Sequence, residues 1–130
     1  MPRAKSFDTT FFCKRGWTAI ARIQNPDGNN ATQGTLSSIQ CIVQRAKAPG
    51  TPTYNATVAT SAAIFNTLQK TADDARWEKD GVGYNFRFEV PGSAFPRAGD
   101  SYVVEFKFTP VAGEPYSLIY EGGCKSTYNS

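Results

Sequence analysis

The stretch "YNFRFEVPGSAFPRAGDSYVVEFKF", residues 84–108, constrains the fold of this chain more than any other. Tyr84, Phe86, Phe88 and Val90 fall on alternating positions, and so do Tyr102, Val104, Phe106 and Phe108. The positions between them carry Asn85, Arg87 and Glu89, then Val103, Glu105 and Lys107. A period of two puts one set of side chains in a core and the other in water, so both segments are expected as half-buried strands. Phe86, Phe88, Val104 and Phe106 are expected in the core. The link between them, residues 91–99, is too long for a tight hairpin turn. It is expected to cross between two sheets, with Phe95 as a plug.

The same period runs through most of the chain. "WTAIARIQ" (17–24) and "LSSIQCIVQ" (36–44) read as strands, the latter with Ile39, Cys41 and Val43 on one side. "YNATVAT" (54–60) has the modest apolarity of an edge strand. "YSLIYE" (116–121) pairs with 101–108 through the turn residues of "TPVAGEP". "FDTTFFC" (7–13) is a further strand candidate. "NPDGNN" and "KAPGTPT" are turn punctuation. "SAAIFNTLQK" (61–70) is expected as a short helical turn or loop with Ile64, Phe65 and Leu68 inward, and residues 71–83 as a polar excursion. About seven strands with almost no helix predict an all-β fold, a single immunoglobulin-like antiparallel β-sandwich. Its expected body is 17–121, preceded by an arm or first strand (1–16) and followed by a tail (122–130). Tyr102, after Gly99, suits the penultimate strand of such a sandwich. The Asp80–Phe86 run, which has a similar look, is read as a local cap or chance.

With 130 residues, one domain is the default. No apolar run is long enough to span a bilayer. The charged start lacks the apolar stretch of a secretion signal, which predicts folding in a cytoplasm and release, if any, by lysis. Residues 1–50 hold seven basic side chains (Arg3, Lys5, Lys14, Arg15, Arg22, Arg45, Lys47) against Asp8 and Asp27, while the remainder is slightly acidic. This is less dense than a nucleic-acid footprint, and no nucleic acid is expected as a partner. It is a solvated surface, or a basic end that meets an acidic neighbour.

Sites for chemistry are scarce. The chain has no histidine, the usual general base. Asp73, Asp74, Glu78 and Asp80 form the one acidic cluster, interrupted by Arg76 and Lys79, and match no calcium-loop spacing. Cys13, Cys41 and Cys124 lack metal-knuckle spacing. Cys41 reads as core. Cys13 and Cys124 sit near opposite ends of the chain, which a sandwich often brings side by side. No catalytic residue, metal or cofactor is expected. Trp17 reads as core and Trp77 as an exposed aromatic suited to stacking on a ligand. Residues 1–13 combine Arg3 and Lys5 with Phe7, Phe11 and Phe12. Three phenylalanines need cover. They either complete the domain as its first strand or add to a neighbour's sheet edge.

Several blocks carry a resemblance: "IFNTLQ" (64–69), Trp77 followed by Asp80, "GYNF" (83–86), "VPGSAFP" (90–96) and "YVVEFKFTPVAGEP" (102–115), with "ARIQNPDGNNATQGTLSSIQCIV" (21–43) more loosely. Over residues 17–120 the chain resembles small β-rich proteins from structural gene clusters of tailed bacteriophages and prophages. The resemblance implies a non-enzymatic virion component made in the host bacterial cytoplasm. It would be a capsid decoration protein bound to the major capsid protein, as a homo-oligomer or in a lattice, or else a tail or neck protein. A carbohydrate- or surface-binding module is the other class. The candidate contact residues are Arg3, Lys5, Phe7, Phe11, Phe12 and Trp77.

Overall fold

The structure, a computed structural model, describes residues 3–48, 50–69 and 83–125. Nine strands are found among them: β1 (Arg3–Asp8), β2 (Phe11–Phe12), β3 (Trp17–Ala21), β4 (Leu36–Arg45), β5 (Pro52–Val58), β6 (Ile64–Gln69), β7 (Tyr84–Val90), β8 (Ser101–Pro110) and β9 (Tyr116–Lys125). They form two sheets packed as a sandwich. The larger has the order β1-β9-β8-β4-β5, with β2 also on β9, and the smaller the order β3-β7-β6. The all-β sandwich expected from the period-two pattern is therefore present, and the chain is antiparallel at every pairing except β1 and β2, which run parallel to β9.

The core follows from cross-strand register. On the inner face of the large sheet, Ile39, Phe108 and Tyr116 stand side by side, as do Cys41, Phe106 and Leu118, then Val43, Val104 and Tyr120. All nine are buried. Lateral neighbours of this kind are the unit of sheet stabilisation. Phe86 of the small sheet meets these rows edge to face, its ring 4.9 Å from Phe106 and 5.2 Å from Phe108. Edge-to-face contact suits the aromatic quadrupole. Phe86, Val104 and Phe106 are core, as expected. Phe88 is only partly buried and packs at the core's margin, 6.0 Å from Phe106. Trp17 is likewise half-buried, edge to face with Phe11 and Tyr120.

The 91–100 connection crosses between the sheets through a short 3-10 turn (Gly92–Ala94), and Phe95 fills the space beneath it with no exposure. β8 and β9 form the expected hairpin, and β5 the expected edge. β8 is the penultimate strand, and the hydroxyl of its Tyr102 accepts the Arg97 N–H at 3.0 Å.

Three expectations are corrected. The segment 61–70 is a helical turn only over Thr60–Ala63; from Ile64 it is strand β6. Its register against β7 shifts between Ile64 and Gln69, and such a bulge erases the alternation that would have marked a strand. Ile64 is buried, but Phe65 and Leu68 are only partly so. Second, Asn85 does not face water: it is 1% exposed. Its Oδ1 accepts the Ile23 N–H at 2.7 Å, and its Nδ2 donates to the carbonyls of Ile23 and Ala31. The loop after β3 lies over this face of the small sheet and needs a polar anchor there. Third, β9 runs on to Lys125, into the segment expected to be a tail.

Candidate interaction surface

The N-terminal residues singled out in the sequence divide between core and surface. β1 ends the large sheet and lies parallel to β9, with Arg3 opposite Tyr116, Lys5 opposite Leu118 and Phe7 opposite Tyr120. Phe7 stacks on Tyr120 at 5.4 Å between centroids, and keeps 38% of its surface exposed. After Thr9 the chain steps across β9 and re-pairs as β2, with Phe11 opposite Cys124 and Phe12 opposite Lys125. Phe11 has no exposure: its ring stacks on Phe95 at 4.7 Å and meets Trp17 at 5.1 Å. It completes the chain's own core. Phe12, one residue on, points the other way and is 46% exposed. Trp77 and the acidic residues Asp73, Asp74, Glu78 and Asp80 lie outside the described residues.

Two close approaches fasten this segment. Thr9 donates its N–H to the Glu121 carbonyl at 2.9 Å, and its own carbonyl rests on Gly122, where a Cβ would overlap it. The Lys14 carbonyl rests in the same way on Gly92, and the Lys14 N–H donates to the Phe95 carbonyl. Cys13 donates its N–H to the Lys125 carbonyl at 2.7 Å. Both glycines are needed for backbone proximity, since neither has positive φ. Lys14 itself does, with φ 58°, in the turn closed by the Arg15 N–H on the Phe12 carbonyl.

That turn carries a basic–aromatic grouping that the sequence did not single out as a group. Phe12, Lys14, Arg15 and Lys125 are all exposed and lie together at the β2–β9 end of the large sheet. Glu89 lies beside Gly16, the residue after Arg15. Spacing in sequence joins Phe12, Lys14 and Arg15; Lys125 joins them only through the parallel β2–β9 register, which no local signal announces.

Arg22, Arg45 and Lys47 of the basic first half are engaged within the chain. Arg45 Nε is 2.8 Å from Asp100 Oδ2, and Lys47 Nζ is 3.0 Å from Asp100 Oδ1. The Lys47 hydrogen bond, with the Arg45 and Lys47 charges, outweighs the burial of Asp100 and holds its carboxyl below the usual range. Arg22 donates to the Gly83 carbonyl at 3.2 Å.

Burial pushes the Cys41 thiol up to about 12, consistent with a core role. Among the described residues no group of three or more His, Cys, Asp or Glu side chains is placed to hold a metal ion, and no helix is long and apolar enough to cross a membrane. Compared with protein-family models, curated proteins and solved structures, the chain gives no significant match.

Proposed function

We propose that this chain is a non-enzymatic structural protein of a bacteriophage virion, a decoration protein that sits on the outer capsid surface and contacts it through the Phe12, Lys14, Arg15 and Lys125 face. The observation that carries the reading is the rigidity of that face. An exposed phenylalanine and three cations sit on a two-strand platform fastened by backbone hydrogen bonds and two glycine contacts, so binding orders side chains and little backbone. An apolar anchor ringed by one sign of charge fits an acidic protein surface. The sandwich is read as immunoglobulin-like, a class that is stable without cofactors and offers edges and loops for lattice contacts; that step is analogy. The resemblance to structural-cluster proteins of tailed phages points the same way.

The test is cosedimentation of the purified chain with intact capsids that lack it. The wild-type chain sediments with capsids, without competition by free sugars. A Lys14→Glu, Arg15→Glu variant keeps its melting temperature but stays in the supernatant. Sedimentation with isolated tails alone, or sugar-dependent binding, would overturn the decoration reading.

A further inference from the structure

We propose that Cys13 and Cys124 are a built-in covalent modification site, an intrachain disulfide that forms on exposure to an oxidant and locks the N-terminal segment to the last strand. The proposal is independent of the capsid reading.

The geometry comes from the parallel register. Phe11 lies opposite Cys124 on β9, Phe12 lies opposite Lys125, and Cys13 follows directly after β2. The turn at Lys14 then draws the chain back, while the Cys13 N–H stays bonded to the Lys125 carbonyl. The strand pairing and that hydrogen bond place Cys13 beside the Cys124–Lys125 end of β9. Neither backbone is loose: the Cys124 N–H donates to the Asp100 carbonyl at 2.8 Å, and the Cys124 carbonyl accepts from Gly99. Neighbouring cysteines on ordered backbone are the arrangement from which a disulfide can close, with Cα atoms about 4.4–6.8 Å apart in the product.

The two partners differ in access, which sets the order of events. Cys13 is partly exposed and its Sγ lies 3.6 Å from the Pro96 carbonyl; Cys124 is 3% exposed. A low-molecular-weight disulfide such as oxidised glutathione is the oxidant. The Cys13 thiolate attacks it, forming a mixed disulfide and releasing one reduced thiol. The Cys124 thiol then loses its proton and attacks the Cys13 sulfur, expelling the second reduced thiol. Two protein thiols are oxidised, one small disulfide is reduced to two thiols, and both protons pass to the released thiolates. Burial raises the Cys124 thiol above its ordinary range, so little of it is thiolate near neutrality and the second step quickens as pH rises. The bond would close a loop spanning most of the chain, where cross-linking constrains the unfolded state most.

The experiment uses the full wild-type chain, incubated with oxidised glutathione and then digested without reduction. The expected product has lost the mass of two hydrogens, retains one alkylatable thiol at Cys41, and yields a peptide joining Cys13 to Cys124. Its melting temperature is roughly 10 °C or more above the reduced form. Cys124→Ser stops at the glutathione adduct on Cys13. Three alkylatable thiols after incubation, a stable adduct on wild-type Cys13, or a disulfide between two chains would each overturn the proposal.

Discussion

The Thr9 carbonyl lies directly against Gly122, at the point where the chain leaves β1, steps across β9 and begins β2. No side chain fits between them. Gly122→Ala must push the Thr9 backbone away and break its hydrogen bond to Glu121. Overpacking of this kind costs about 1–3 kcal/mol. The expected result is a lower denaturation midpoint together with faster proteolysis between residues 3 and 12. Gly123→Ala is the control, since a Cβ there meets nothing within 4 Å. Equal stability of the two variants would contradict the fastening role.

Phe11 makes the N-terminal segment part of the fold rather than a loose arm. Its side chain is fully buried between Phe95 and Trp17. Phe11→Ala should cost about 3–5 kcal/mol, as for other large core aromatics. Deleting residues 1–12 should lower the melting temperature of the free chain at least as much. Thermal denaturation followed by circular dichroism reads both. An unchanged melting temperature in the deletion would restore the picture of an arm reserved for a neighbour.

Phe86 and Phe88 looked equivalent in the period-two pattern, and they are not. Phe86 is fully buried and touches two rings of the facing sheet; Phe88 sits at the margin. Phe86→Ala is expected to cost about 3–5 kcal/mol and Phe88→Ala about 1–3 kcal/mol. Urea denaturation of the two variants measures the difference. Equal losses would mean that the small sheet covers more of the core than the structure indicates.

What was legible in the chain follows from how local each signal is. The inward rows of β4 and β8 came from alternation, which one strand displays alone, and the crossing at Phe95 from the length of the link between β7 and β8. Asn85 misled because its burial is caused by a loop that arrives from sixty-two residues away to take its hydrogen bonds. β6 was missed because a register shift breaks its alternation. β1 is parallel to β9, and the run Arg3–Asp8 holds one large apolar residue, so nothing in it states a direction or a partner. The contact surface was half legible: Phe12 was singled out, while Lys125 reaches it only through that long-range pairing. The closeness of Cys13 and Cys124 was an expectation from topology, and the β2–β9 pairing with the Cys13 to Lys125 hydrogen bond bears it out.

Asp100 ties the end of β4 to the start of β8 by its contacts with Arg45 and Lys47. Its carboxyl is held below the ordinary value of 3.8, first by the Lys47 hydrogen bond. In the unfolded chain that carboxyl takes up its proton at higher pH than in the folded chain. The stabilisation is therefore full above pH 3.8 and is lost as pH falls through the depressed folded value. Asp100→Asn should be less stable than wild type at neutral pH, with the gap closing in acid. Melting temperatures of both proteins across an acid series measure this. A gap that stays constant with pH would remove the ionised carboxylate from the account.

The central claim, that the chain decorates a capsid through a rigid basic–aromatic face, is tested most directly by imaging. Cryo-electron microscopy of capsids with and without the bound chain gives a difference map. The account predicts regular sandwich-sized density on the outer surface, with the Phe12, Lys14, Arg15 and Lys125 end against the capsid protein. Difference density that is absent, confined to the tail or neck, or docked through the opposite β5 edge would contradict it.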